Sequence, residues 1–115
     1  MMQMPPRRLR PVHPGDILKH DFLVPLGLSA YRVAKDIGVS LPTVNDIVRR
    51  RRAVTAEMAL RFARYFGTSA ELWQNLQAQY DLEVAILKIG TTVARHIRPF
   101  AKPATAEPTR RRAAA

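Results

Sequence analysis

Side chains that can form specific hydrogen bonds with other molecules are concentrated between residues 40 and 49. An asparagine amide can bond twice to the edge of adenine, and an arginine guanidinium can bond twice to guanine, while serine, threonine and aspartate can bond single groups. The segment contains these types at Ser40, Thr43, Asn45, Asp46 and Arg49. If one helix presents them together, the sequence predicts contacts with the base edges of double-stranded DNA.

Each of these side chains also has an interpretation without DNA. Ser40 can cap the start of a helix, either alone or in addition to a DNA contact. Asn45 can be a solvated residue on an exposed helix face. Asp46 can orient a neighbouring arginine instead of accepting a hydrogen bond from cytosine. The sequence leaves both interpretations open for each residue.

Groups suited to the DNA backbone flank the same segment. A run of four arginines, residues 49–52, is a solvated cluster by default. Phosphate binding is favoured where such a run directly follows a helix that contacts bases. Backbone amides at helix starts, and cations near them, add further donors for phosphate. The predicted phosphate contacts are Ser29, Arg32, Lys35, Arg50, Arg51 and Arg52.

Two helices joined by a sharp turn are needed to present these groups, and residues 30–49 have the required pattern. Ala34 is small enough for close contact between helices, and Gly38 can adopt positive φ in the turn. Apolar residues recur at the positions that face a core, namely Val33, Ile37, Val39, Val44 and Ile47. The pattern predicts a helix-turn-helix at about residues 29–50.

Helix signals continue on both sides of this pair, and strand-like alternation is missing. Pro14 suits the first turn of a helix that Gly27 ends. Thr55 and Ser69 can cap a fourth helix and a long fifth helix. The connections between these helices are short, as in small helical domains. The sequence therefore predicts an all-α, five-helix domain over residues 14–89.

Positive charge is concentrated at the two ends of the chain. The formal net charge is +10, yet residues 14–88 contain ten Lys or Arg against eight Asp or Glu. We predict a basic N-terminal arm at residues 1–13 and a basic, disordered C-terminal tail at residues 90–115, because both contain prolines and few large apolar residues. Residues 90–98 can alternatively extend the fifth helix. Charge of this sign favours an acidic partner such as nucleic acid.

Residues for catalysis, metal binding or cofactor binding are not grouped in the sequence. There is no cysteine, and His13, His20 and His96 are too far apart for a helical metal-binding pair. The glycines are isolated, so they form no phosphate-cradling loop. We therefore predict a protein that is not an enzyme and that has no metal or cofactor. Since no long apolar run is present, we expect a cytoplasmic protein without a membrane span.

Three stretches of the sequence, in the same order, resemble a known group of repressors. They are residues 13–29 (HPGDILKHDFLVPLGLS), the helix-turn-helix, and residues 48–85, which contain RFARYFGTSAELW and LQAQYDLE. The chain resembles the HigA-type antitoxins of the λ repressor and Cro-like (XRE) family over about residues 12–86. The resemblance implies a λ repressor-like fold and a homodimer that binds a palindromic operator in its own promoter. It also implies neutralisation of a HigB-like toxin that cleaves mRNA, in the bacterial cytoplasm at the nucleoid.

Other functions are compatible with parts of the sequence. A stand-alone helix-turn-helix regulator without a toxin would share every feature of this chain. A protein-interaction module that no longer binds DNA is disfavoured by the arginine run, and an RNA-cleaving enzyme is disfavoured by the missing catalytic residues. The chain departs from the family in its long basic C-terminal tail.

The outer helices carry the predicted surfaces for dimerisation and for the toxin. The fifth helix is long and has apolar residues off its core seam, so we expect it to pair two subunits through Leu72, Leu82, Ile86 and Ile89. A toxin that cleaves RNA needs a basic active face, which favours an acidic or apolar surface on its antitoxin. The acidic candidates are Asp16 and Asp21 on the first helix and Glu71, Asp81 and Glu83 on the fifth.

Overall fold

Five helices make up the part of the chain that the computed structural model describes, residues 10–101. The first helix, α1, is continuous and has three consecutive segments, which are α-helical Pro14–Ile17, π-helical Leu18–Leu23 and α-helical Val24–Leu26. The others are α2 (Ala30–Ile37), α3 (Leu41–Val48), α4 (Ala56–Phe66) and α5 (Ala70–His96). The predicted all-α, five-helix fold is confirmed.

Capping side chains begin four of the helices, as the sequence predicts. The capping hydroxyl accepts a hydrogen bond from the backbone N–H three residues on, at 3.0 to 3.3 Å, in Ser29, Ser40, Thr55 and Ser69. Glycines with positive φ follow three of the helices, namely Gly27, Gly38 and Gly67. Glycine adopts this backbone region without the steric penalty of a Cβ. Local sequence therefore sets where α2, α3 and α4 begin and where α1, α2 and α4 end.

The core lies where α5 packs against α1 and α4. Trp73 of α5 is fully buried, and its ring centroid lies 5.0 Å from that of Phe62 and 5.4 Å from that of Phe22. Val33 of α2 and Val44 of α3 are also fully buried in this cluster. Burial of each such side chain stabilises the fold by about 1.5–3 kcal/mol. The core thus holds α2 and α3 in a fixed arrangement.

The fifth helix continues past the predicted boundary at residue 89, in agreement with the alternative that residues 90–98 extend it. α5 continues through Gly90 to His96, so residues 90–96 are helical and do not belong to a disordered tail. A glycine inside a helix costs only about 1 kcal/mol relative to alanine, which the flanking turns can offset. Pro99 disfavours helical backbone at the residue before it, and α5 ends two residues earlier than that. The rest of the predicted tail from residue 102 lies outside the described residues.

The predicted N-terminal arm, residues 1–13, also extends too far into the domain. His13 is buried and is the residue that caps α1. Its imidazole Nδ1 accepts a hydrogen bond from the N–H of Gly15 at 2.8 Å. Histidine is not among the preferred N-capping residues, so its residue type does not predict this role. Residues 1–9 of the arm lie outside the described residues.

Candidate DNA-binding surface

The predicted helix-turn-helix consists of α2, α3 and the turn between them. Ala34 of α2 and Ile47 of α3 are buried, which allows the two helices to pack closely. Gly38 has a φ of 78°, and its N–H and that of Val39 both bond to the carbonyl of Ala34 at 3.0 Å. These bonds satisfy the end of α2 and direct the chain into α3. The buried positions of α3 then leave its opposite face at the surface.

The outer face of α3 carries the predicted base-contacting residues. Ser40 Oγ accepts from the N–H of Thr43 at 3.3 Å, and the two hydroxyl oxygens lie 2.8 Å apart. Ser40 is therefore a helix cap, and hydroxyl oxygens keep further capacity to accept or donate. Asn45 is partly exposed and Arg49 is exposed. Arg49 is the C-cap of α3, and its N–H bonds to the carbonyl of Asn45 at 2.9 Å, so it lies one helical turn from Asn45.

The arginines that follow α3 differ in their surroundings. Arg52 lies 3.6 Å from a carboxylate oxygen of Asp46, so Asp46 is placed to orient an arginine. Arg50 lies 3.6 Å from a carboxylate on α1. Within residues 10–101, Arg49 and Arg51 have no carboxylate partner within 4.0 Å. Arg49 and Arg51 are therefore the members of the run whose guanidinium groups are most available to phosphate.

The start of α2 carries the remaining predicted phosphate contacts. Ser29 caps the helix through its hydroxyl, and Lys35 is exposed. Asp36 accepts hydrogen bonds from the hydroxyl of Tyr65 at 2.6 Å and from Arg32 Nε at 2.8 Å. These two bonds hold the pKa of the Asp36 carboxyl below its usual value, and the bond to Asp36 raises the pKa of Tyr65. Arg32 is thus bonded to Asp36 while its side chain remains exposed at the surface.

A residue that the sequence pattern did not mark holds the arginine run in place. Gln77 of α5 is 9% exposed, and its Oε1 accepts a hydrogen bond from the N–H of Val54 at 2.8 Å. Val54 is buried two residues after Arg52. Gln77 follows Trp73 by four residues, so it lies on the core seam of α5. A polar side chain at such a position is the signal that could have identified it. Gln77 therefore anchors the loop between α3 and α4.

Ligand groups for metals do not converge in this surface. Across residues 10–101, no group of three or more His, Cys, Asp or Glu side chains could hold a metal ion. His13 and His20 lie at the start and middle of α1, whereas His96 ends α5. None of the helices between residues 10 and 101 is long and apolar enough to cross a membrane.

Comparison with known proteins identifies relatives of the helical domain. The helix-turn-helix family model HTH_3 matches residues 20–73. Virulence-associated protein I of Dichelobacter nodosus is 50% identical over 74 residues, which are 64% of this chain and 68% of that protein. Antitoxin HigA-1 of Vibrio cholerae is 36% identical over 73 residues, which are 64% of this chain and 69% of that antitoxin.

Solved structures show the same similarity over nearly the full length of their chains. Pseudomonas aeruginosa antitoxin HigA, solved with the higBA promoter, is 46% identical with a TM-score of 0.78, covering 80% of this chain and 100% of that one. An addiction module antidote protein of a HigA family from Coxiella burnetii is 37% identical with a TM-score of 0.75, covering 79% and 99%. The prediction of a non-enzymatic helix-turn-helix protein is confirmed. This chain belongs to the HigA antitoxin family of helix-turn-helix proteins.

Proposed function

We propose that this protein, as a homodimer, represses its own promoter by binding a palindromic operator and neutralises a co-encoded toxin that cleaves mRNA. The observation that carries DNA binding is the outer face of α3, where Asn45 and Arg49 share one side next to the arginine run. An antitoxin of the same family has been solved with its promoter, which supports this use of the fold. A stand-alone regulator without a toxin is the alternative.

Base recognition and backbone binding are assigned to different parts of this surface. Base contacts carry sequence information, whereas phosphate contacts set register and affinity. We assign base contacts to the α3 face, namely Ser40, Thr43, Asn45 and Arg49. We assign phosphate contacts to the start of α2 and the run after α3, namely Ser29, Arg32, Lys35, Arg50, Arg51 and Arg52. In this scheme Asp46 acts through Arg52, its neighbour at 3.6 Å.

DNA binding is tested by footprinting the full chain on the DNA upstream of its own gene and then by measuring variants. Asn45→Ala should weaken operator binding by about 1–3 kcal/mol and leave random duplex nearly unchanged. Arg51→Ala should weaken both by similar factors, because phosphate is present in every sequence. Arg64→Ala, an exposed arginine on α4, is the matched control and should change neither. Equal weakening of both duplexes by Asn45→Ala would show that α3 is wrongly oriented.

The far half of α5 supports a dimer. Leu82, Ile86, Ile89 and Val93 are all between 42% and 57% exposed. Their spacing of four, three and four residues is the apolar repeat of a two-helix coiled coil. We infer that α5 of a second copy covers this seam. Leu72, also predicted for this interface, lies about 15 Å further back along the helix axis, beside the domain.

Dimerisation is tested by sedimentation at micromolar concentration. Ile86→Lys should shift the protein to a monomer and abolish tight operator binding, because a single helix-turn-helix contacts too few base pairs. Leu60→Lys replaces an exposed leucine on α4 and is the matched control, which should remain dimeric. An unmodified chain that is monomeric both free and on DNA would exclude this interface.

The acidic residues predicted to contact the toxin are not equivalent in the structure. Asp16, Asp81 and Glu83 each accept hydrogen bonds from neighbouring residues. Asp21, in the π-helical segment of α1, and Glu71, in the first turn of α5, are exposed and lack such partners within residues 10–101. We therefore assign the toxin surface to Asp21 and Glu71, whose charge reversal disturbs no internal contact.

The antitoxin role is tested with the product of the adjacent reading frame. That product should stop growth when expressed alone, and it should purify together with this protein. The double variant Asp21→Lys, Glu71→Lys should lose the toxin and keep operator binding, which serves as the internal control. A product that neither binds this protein nor harms cells would leave the stand-alone regulator as the function.

A further inference from the structure

The first turn of α1 touches the end of α3 backbone to backbone. A Cβ added to Gly15 would lie 1.8 Å from the carbonyl oxygen of Ile47, so only glycine permits this approach. Ile47 is in the last turn of α3 and is fully buried. The position of the recognition helix is therefore defined directly by the start of α1.

His13 connects the same turn to α5. Its Nδ1 accepts from the N–H of Gly15 at 2.8 Å, and the backbone N–H of His13 donates to the Asp16 carboxylate at 3.2 Å. The imidazole is 2% exposed and meets the ring of Tyr80 edge to face, with centroids 4.7 Å apart. The side chain of His13 thus caps the start of α1 and also contacts α5.

Arg50 closes this set of contacts from the other side. It directly follows the C-cap of α3 and is the only non-glycine residue with positive φ, 66°, within residues 10–101. Its Nε lies 3.6 Å from the carboxylate of Asp16, the residue that also accepts from the His13 N–H. Left-handed backbone is unfavourable for arginine. Here it belongs to the C-cap of α3, in which the N–H groups of Arg50 and Arg51 bond to the carbonyls of Ile47 and Asp46 at 2.9 and 2.8 Å.

We propose that His13, Asp16 and Arg50 form a joint that sets the position of the recognition helix α3 relative to α5. We call these three residues the α1 joint. The inference rests on the proposed function, in which α5 pairs two subunits and α3 contacts DNA. The α1 joint then determines the spacing of the two recognition helices on the operator. His13 and Arg50 are positioning residues for operator binding, and Arg50 acts mainly through Asp16 and only secondarily through phosphate.

The joint makes operator binding sensitive to acid. The charged and titratable groups that face His13 are Asp16 on α1, Arg50 after α3, and Tyr80 and Asp81 on α5. Burial, aided by Arg50, lowers the pKa of the imidazole against the opposing effect of the two carboxylates. The neutral imidazole accepts the Gly15 N–H at Nδ1. When Nδ1 is protonated, its N–H would face the Gly15 N–H, and two donors cannot bond to each other. Protonation of His13 therefore breaks the hydrogen bond between Gly15 and the imidazole and loosens the α1 joint.

The test measures operator and random-duplex affinity of the full chain at about pH 8 and about pH 5.5. The ratio of operator affinity to random-duplex affinity should fall at the lower pH, and because the pKa of the buried imidazole is lowered, the fall should steepen toward the acid end of this range. His13→Asn keeps a neutral cap and should hold the ratio constant. His20→Asn, on the exposed face of the same helix, is the matched control and should behave as the unmodified chain does. The same loss in His13→Asn would overturn the proposal.

Arg50 separates positioning from phosphate binding. Arg50→Asn tolerates the left-handed backbone but removes the ion pair, and it should lower the operator-to-random ratio at about pH 8. Equal weakening on both duplexes would show that Arg50 acts only as a phosphate contact and would refute its role in the joint. The amide resonances of Ile47 and Arg50 provide a readout without DNA, and they should titrate with His13. Failure to bind any operator at high pH contradicts the proposed function. Amide resonances of Ile47 and Arg50 that do not shift as His13 titrates contradict the α1 joint.

Discussion

Replacing Gln77 with alanine should destabilise the protein far more than the same replacement of an exposed glutamine. The variant removes the acceptor of the Val54 N–H, a bond of 2.8 Å between buried groups. A buried donor left without a partner costs about 1–3 kcal/mol. The amide also donates to Asp81 at 2.9 Å, which anchors it within the helix. We therefore expect a loss of about 2 kcal/mol in the free energy of unfolding.

The measurement is urea unfolding followed by circular dichroism, at one fixed protein concentration because the proposed dimer links stability to concentration. With a slope of about 1.5 kcal/mol/M, the midpoint should fall by about 1.3 M. Gln79→Ala is the matched control, since its amide bonds Glu83 at 2.7 Å on an exposed face, and it should change stability by under about 0.5 kcal/mol. Equal midpoints for the two variants would refute the anchoring role of Gln77.

Three further predictions concern backbone and surface positions. Gly38→Ala, where φ is 78°, should lower the unfolding free energy by about 1–2 kcal/mol, as measured by thermal unfolding. Gly90→Ala, inside α5 with only ordinary contact to Ile86, should instead raise it by about 0.5–1 kcal/mol. Tyr65→Phe should raise the pKa of Asp36 toward its usual value in an NMR titration, so the stability that Asp36 contributes above its unfolded pKa becomes smaller and less of it is lost on acidification than in the unmodified chain.

Local sequence was sufficient for the helix-turn-helix because each feature there depends on near neighbours. Ser29 and Ser40 act within one turn of their helices, and Gly38 acts through its own backbone. The core positions of α2 and α3 follow from helical periodicity alone. The predicted surface residues of α3 are presented as expected for the same reason, since a helix with one face buried leaves the other exposed.

Residues that act across large sequence separations escaped prediction. Gln77 bonds a residue 23 positions earlier, and although its place on the core seam indicates burial, local sequence does not identify its partner. Gly90 resembles a helix stop, but its conformation depends on whether the following residues continue the helix. His13 was assigned to the arm because its capping role needs α5 to bury it. For Gln77 and His13 the deciding contact is tertiary, so local sequence indicates only a preference.

Three residues whose conformation or capping role differs from the usual preference of their residue type lie close together in the fold. Arg50 adopts a backbone region that favours glycine, His13 caps a helix in place of a serine or aspartate, and Gly15 lies in the first turn of a helix, where glycine is unfavourable. Local rules are most often broken where function requires a particular geometry. All three lie where α1, the end of α3 and α5 come together. If α5 pairs two subunits as proposed, these contacts fix the angle at which each helix-turn-helix is held relative to the dimer.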